Sequence, residues 1–136
     1  MFKIPKSVYE SMLRLAIQES PVEACGYLAG NDNEVSMLIP MTNVDQSSEH
    51  FSFAPEEQFQ ALKTARSEEL KFLAVFHSHP ASPARMSAED IRLANDPEIV
   101  YVILSLLKTE PKIRGFQVVS KTITEVTIEI VEGASR

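Results

Sequence analysis

A single cysteine, Cys25, stands in the 136 residues, so no disulfide can close within the chain. A reducing cytoplasm is therefore the expected setting. Positive charge is also scarce: 13 Lys and Arg against 19 Asp and Glu leave a net charge of −6. That balance argues against nucleic acid as a partner, because phosphate binding needs clustered Lys and Arg. No apolar run approaches the ~20 residues of a membrane helix. The longest, Ile99 to Leu107, contains Tyr101 and Ser105, so no membrane partner is expected. The opening Met1-Phe2-Lys3-Ile4-Pro5-Lys6 lacks the apolar centre of a secretion signal.

What remains is ordinary for one globular domain spanning 1–136, with 44% hydrophobic and 24% charged residues. Val8, Met12, Leu15 and Ala16 recur at helical spacing, which predicts a helix from Pro5 to Glu19. Ala24 to Ala29 and Glu34 to Met41 read as a strand hairpin around the turn cluster Gly30-Asn31-Asp32-Asn33. Thr42 to His50 is polar and unpatterned, a mobile loop. Phe51-Ser52-Phe53 alternates as a brief strand. Pro55 opens a second helix to about Glu69, with Phe59, Leu62 and Ala65 on one face. Lys71 to His77 is an apolar strand, Ser87 to about Asn95 a helix, and Ile99 to Leu107, Ile113 to Ser120 and Thr122 to Ile130 are three further strands. The last has the uneven alternation of an edge. Interleaved helices and strands predict a layered α/β fold, a mixed sheet flanked by helices.

Two of the three histidines lie two residues apart, in His77-Ser78-His79-Pro80 at the end of a predicted strand. Side chains at that spacing share a face, so His77 and His79 can converge on one metal ion. Asp90 is far enough along the chain to fold back and add a carboxylate oxygen. Two imidazoles, a carboxylate and one open position form a catalytic zinc site, since structural sites close all four positions with protein ligands. A His-x-His pair alone is weak evidence. Ser87-Ala88-Glu89-Asp90 also fits a capping box, with Ser87 as N-cap and Asp90 at N3. The two roles compete for the oxygens of Asp90. Ser78, on the opposite face, is packed or hydrogen-bonded rather than catalytic. Two other zinc chemistries are excluded. There is no His-Glu-x-x-His helix, and one cysteine cannot supply the Pro-Cys-x-x-Cys of nucleobase deaminases.

Taken in order, Glu23, His77-Ser78-His79-Pro80, Ser87 and Asp90 resemble the motif of the JAMM (MPN-plus) metalloproteases, in their short prokaryotic form. Glu23 sits in Pro21-Val22-Glu23-Ala24-Cys25-Gly26-Tyr27-Leu28-Ala29-Gly30, which is similar to the opening strand of that family. The resemblance spans roughly Ile4 to Ile130 and implies the deaminase-like JAMM fold. It also implies one Zn2+ per chain on His77, His79 and Asp90, Glu23 as the general base, and Ser87 as a donor to the oxyanion. Read without the family, Glu23 is one of 19 acidic residues at a helix-to-strand junction.

The implied activity is hydrolysis of a peptide or isopeptide bond after the C-terminal Gly-Gly of a ubiquitin-like sulfur carrier protein, by a monomer or weak homodimer. The alternatives are a non-catalytic MPN-type scaffold and an isopeptidase acting on another modifier. No long insertion resembles those with which larger relatives choose among ubiquitin linkages. The loops Thr42 to His50 and Ala81 to Met86 are expected to flank the bound tail. Cys25 reads as core before nucleophile, and His50 as surface.

Overall fold

The structure is a computed structural model, and residues 1–132 are described. The chain begins with a strand that the sequence patterning does not reveal, β1 (Phe2–Pro5), before helix α1 (Lys6–Glu19). Phe2 and Ile4 point inward from β1, too short an alternation to register beside the helical pattern that follows. Pro5 serves as the N-cap of α1 rather than its first residue. Val8, Met12 and Ala16 form the buried stripe of α1, spaced by one turn.

Strands β2 (Cys25–Asn31) and β3 (Glu34–Met41) form the expected hairpin. Its two central residues, Asp32 and Asn33, have φ of 53° and 63°, the left-handed pair that a two-residue hairpin turn requires. Gly30 sits at a register shift where a Cβ would run into the Glu34 carbonyl. Helix α2 (Pro55–Ser67) follows, then β4 (Lys71–His79), α3 (Ala88–Leu93), β5 (Val100–Ser105), β6 (Lys112–Val119), β7 (Thr122–Val126) and β8 (Ile128–Val131).

The eight strands form one mixed sheet in the order β7-β6-β5-β4-β2-β3-β1-β8. The pairs β4·β5, β1·β3 and β1·β8 are parallel and the others antiparallel. The single strand expected over Thr122 to Ile130 is two strands broken at Thr127. They stand at opposite ends of the sheet order, so the chain crosses from one edge to the other. Curling of the sheet makes this possible. The Ile128 side chain lies against Gly115 of β6, at 3.0 Å from where a Cβ would stand.

The central strand β4 is covered on both faces, as its continuous apolar run requires. Ala74 and Phe76 join Phe2, Ile4, Val8, Met12, Leu28 and Val102 in the main core beneath α1. Val75 and His77 therefore face the opposite layer, where Cys25, Tyr27, Met41 and Ala61 of α2 pack. That alternation sets the polarity of the site: Ser78 goes into the interior and the two histidines to the other face.

Three further expectations are corrected. Phe51-Ser52-Phe53 forms no strand; its rings pack instead, at 5.4 Å between centroids. On α2 the buried face is Ala61 and Ala65, while Phe59 is 59% exposed beneath the Lys63 ammonium. The segment Thr42 to His50, expected to be mobile, is tied down from within. Asn43 is buried, and Asp45 accepts from the Ser52 hydroxyl at 2.8 Å. Polar composition hid this order, because the ties run through side-chain amides and carboxylates rather than an apolar period. No helix among the described residues is long and apolar enough to cross a membrane.

Candidate metal centre and cleft

His77 and His79 are the last two same-face positions of β4, paired in register with Ile103 and Ser105 of β5. Asp90 reaches them from the first turn of α3. Its Oδ1 lies 3.3 Å from His77 Nε2 and its Oδ2 lies 3.1 Å from His79 Nε2. The two Nε2 atoms are themselves 3.1 Å apart. All three residues are buried.

This convergence is the chemistry of a cation site. The Pro83 carbonyl lies 2.8 Å from His79 Nδ1 and can accept its N–H; in that tautomer a neutral His79 would turn its Nε2 lone pair towards Asp90 and His77, as a metal ligand does. One proton shared among these atoms can satisfy only part of the set, whereas a central cation satisfies all three lone pairs. The edges of a tetrahedron drawn at zinc–nitrogen distances of ~2.0–2.1 Å are about 3.3–3.4 Å long. The two Nε2 atoms, 3.1 Å apart, come close to such an edge, and each has its own Asp90 oxygen at 3.1 to 3.3 Å; with all three ligand atoms within 4.8 Å of one another, the residues fit a metal.

The expected competition for Asp90 does not occur. Its Oδ2 accepts the Ser87 backbone N–H at 3.0 Å while facing His79, and the Ser87 hydroxyl accepts the Asp90 N–H at 3.0 Å. The capping box is complete, and the same carboxylate keeps both oxygens on the histidines. A carboxylate has about four lone-pair sites, which is enough for both tasks.

Charges follow the geometry. Burial pushes Asp90 up, but hydrogen bonds from His77, His79 and Ser87 outweigh it and hold the group well below the usual carboxylate range. Burial lowers His77, against the pull of Asp90. In His79 burial also lowers the value, but Asp90 and the Pro83 carbonyl reverse it to a net rise. Glu23 sits at the mouth of β2, 2% exposed, with Oε1 unpartnered among the described residues. Burial raises it to about 8, with Asp90 and Glu49 adding to the rise and His79 opposing it. Glu23 is therefore close enough to the histidine–aspartate group to share its field.

Ser78 is fully buried and accepts the Ala24 N–H at 2.8 Å, while its own N–H donates to the Ala24 carbonyl. It ties the segment carrying Glu23 to the strand carrying the histidines. Cys25 is core as expected: its thiol faces the Met41 carbonyl, and burial pushes it up to about 12.

A cleft of about 410 Å³ opens from His77 and Asp90. Its wall is aromatic: Tyr27 stacks on Phe72 at 3.9 Å, and Phe53 lies 5.1 Å from Tyr27. Phe51 covers His77 at 4.8 Å. This wall went unread in the sequence because its residues come from β2, β4 and an unpaired segment; Phe-x-Phe was the available signal. His50 is partly exposed as expected, yet it also lines the cleft.

Comparison with known proteins points to one family. A model of prokaryotic homologues of the JAB domain matches residues 5–119. The CysO-cysteine peptidase of Mycobacterium tuberculosis is 29% identical over 132 residues, 95% of this chain and 90% of its own. The desampylase of Pyrococcus furiosus is 31% identical over 102 residues, 75% of this chain and 72% of its own. A protein of Desulfitobacterium hafniense, solved in solution, superimposes with a TM-score of 0.91 at 42% identity, covering 98% of this chain and 95% of its own.

Proposed function

This chain belongs to the family of prokaryotic JAB-domain homologues, and from that membership we propose a zinc-dependent hydrolase that cuts after the C-terminal Gly-Gly of a ubiquitin-like sulfur carrier protein. The chain is an enzyme of the JAMM peptidase type. In this reading the whole of 1–136 serves as one catalytic domain, with residues 133–136 outside those described. The observation that carries the proposal is the convergence of three buried ligand atoms beside a buried carboxylate, at the end of an aromatic cleft.

His77, His79 and Asp90 would hold the zinc. When bound, the metal supplies a Lewis acid that makes water acidic near neutral pH and polarises the scissile carbonyl. Glu23 accepts the proton of the attacking water and hands it to the leaving amine, a double role open to a carboxylate that does not itself bind the metal. Its raised pKa belongs to the metal-free site, and the positive charge of a bound cation would lower it towards the range in which the carboxylate is ionised and free to act as base. The Ser87 hydroxyl already accepts the Asp90 N–H, so its own hydrogen is available to the oxyanion of the tetrahedral intermediate.

The substrate reading rests on the names of the relatives and on the shape of the cleft. Glycines at the scissile end let a backbone pass close to the site, while the aromatic wall suits the apolar residues upstream. The test is mass spectrometry of a carrier protein ending in Gly-Gly and bearing one further amino acid, incubated with zinc-loaded enzyme. Loss of that residue alone is the expected result. An intact adduct after many hours at micromolar enzyme would overturn the substrate assignment.

A further inference from the structure

One buried amide joins the cleft wall to the segment carrying Glu23. Asn43 is 4% exposed. Its Nδ2 donates to the Glu23 carbonyl at 3.1 Å and to the His50 carbonyl at 3.0 Å, with the Ser47 carbonyl more distant at 3.4 Å. Its Oδ1 accepts the Asp45 N–H at 3.1 Å. An amide nitrogen carries two hydrogens, and the two shorter contacts account for both. The Ser47 carbonyl is free to accept the Glu23 N–H, at 2.8 Å.

Glu23 precedes β2, so its own N–H and C=O fall outside the strand ladder. Both are held by the loop that Asn43 organises. Asp45 extends the same network outward, accepting from Ser52 and lying 2.9 Å from His50 Nδ1. His50 and Ser52 line the cleft. A continuous run of hydrogen bonds thus leads from the cleft wall to the backbone on either side of the Glu23 side chain.

We propose that Asn43 is a positioning residue for Glu23, setting the carboxylate and the cleft-wall loop with one amide group. This rests on the reading of Glu23 as the base. Its energetic logic is that a buried amide with all its bonds made fixes one geometry, while its loss leaves the buried Glu23 carbonyl without its partner and also releases the His50 carbonyl and the Asp45 N–H. Ser78 holds the next residue, Ala24, from the opposite side. The segment is clamped between strand and loop, and Asn43 is the clamp on the substrate side.

The experiment compares Asn43→Ala with wild type on two substrates: the full carrier-protein adduct, and a short Gly-Gly peptide amide too small to reach the loop. A positioning role predicts that kcat falls about ten- to a hundredfold on both, with zinc content unchanged and the assay held well below the Tm of the variant. A residue that merely shapes the loop would raise KM on the protein adduct and leave kcat on the peptide within twofold; that outcome overturns the proposal. If Asn43→Ala does not fold, Asn43→Ser keeps one donor and replaces it. Hydrogen exchange supplies a readout independent of turnover. Protection of the Glu23 amide should drop at least tenfold in the variant while that of Phe76, deep in β4, holds. Unchanged protection at Glu23 also overturns the proposal. If wild type cleaves neither substrate, the functional reading fails, and the exchange result still decides whether Asn43 holds Glu23.

Discussion

Ser87 and Asp90 exchange two hydrogen bonds, each 3.0 Å long, and the Asp90 oxygen that closes the capping box also faces His79 at 3.1 Å. The helix start and the ligand position are one piece of structure. A short helix, Ala88–Leu93, is marginal on its own, and the box that stabilises it also fixes the carboxylate's rotamer. In the proposed metal site, the preorganisation of Asp90 comes from backbone capping.

The first prediction concerns metal content. Protein purified without chelator should carry close to one zinc per chain by elemental analysis. Asp90→Ala should lose most of it, since two imidazoles alone make a weak site. Asp90→Asn keeps an oxygen but not its charge, and should bind zinc at least tenfold more weakly. Chelation should lower the Tm and added zinc restore it, because a ligand of the native state stabilises it by mass action. Absence of zinc from wild type, with no uptake on titration, would falsify the site.

Glu23→Gln should separate chemistry from binding. Activity is expected to drop on the order of a hundredfold or more, with zinc retained. The same substitution should change the pH dependence of stability in the metal-free protein. Glu23 is raised to about 8 in the folded state, chiefly by burial. The folded state therefore holds its proton more tightly than the unfolded chain. The resulting stabilisation is full below the ordinary carboxylate range and is lost as pH rises towards 8. Between those limits the Tm of metal-free wild type should fall faster than that of Glu23→Gln. Parallel curves would show that Glu23 is not titrating in this range.

For Ser87→Ala two effects are expected on separate readouts. Loss of the N-cap should cost about 1 kcal/mol of stability, measured by denaturant unfolding. Loss of an oxyanion donor should cost on the order of a hundredfold in kcat. A stability loss with kcat unchanged would leave Ser87 as a cap alone.

The sequence carried the site further than the fold. His77, His79, Ser87 and Asp90 lie within one short stretch, so local periodicity and capping rules apply to them directly. Strand β1 was invisible because its inward residues, Phe2 and Ile4, find their partners on β3 and β8, far along the chain. The break at Thr127 was hidden for a similar reason. Both halves read as strand, and only sheet curvature, with Ile128 against Gly115, separates them. Asn43 left no trace at all. An asparagine in a polar segment looks solvated until the fold places three carbonyls around its amide.

Substrate access gives the last prediction. The cleft wall of Tyr27, Phe53 and Phe72 is built from stacked and tilted rings, and such a surface binds apolar side chains with little loss of conformational freedom. Tyr27 is further fixed by Gln58, whose amide donates to its hydroxyl at 3.0 Å. A carrier protein with an extended Gly-Gly tail should place the residues upstream of the glycines on this wall. In an NMR titration of zinc-loaded Glu23→Gln with that carrier, shifts should concentrate at Tyr27, 50–53, Phe72 and 86–90. Phe53→Ala should raise KM several-fold while kcat changes less, because it removes binding shared by ground and transition states. Shifts confined to α1, on the far side of the sheet, would reject this docking mode and leave the hydrolytic chemistry of His77, His79, Asp90 and Glu23 to be judged on its own tests.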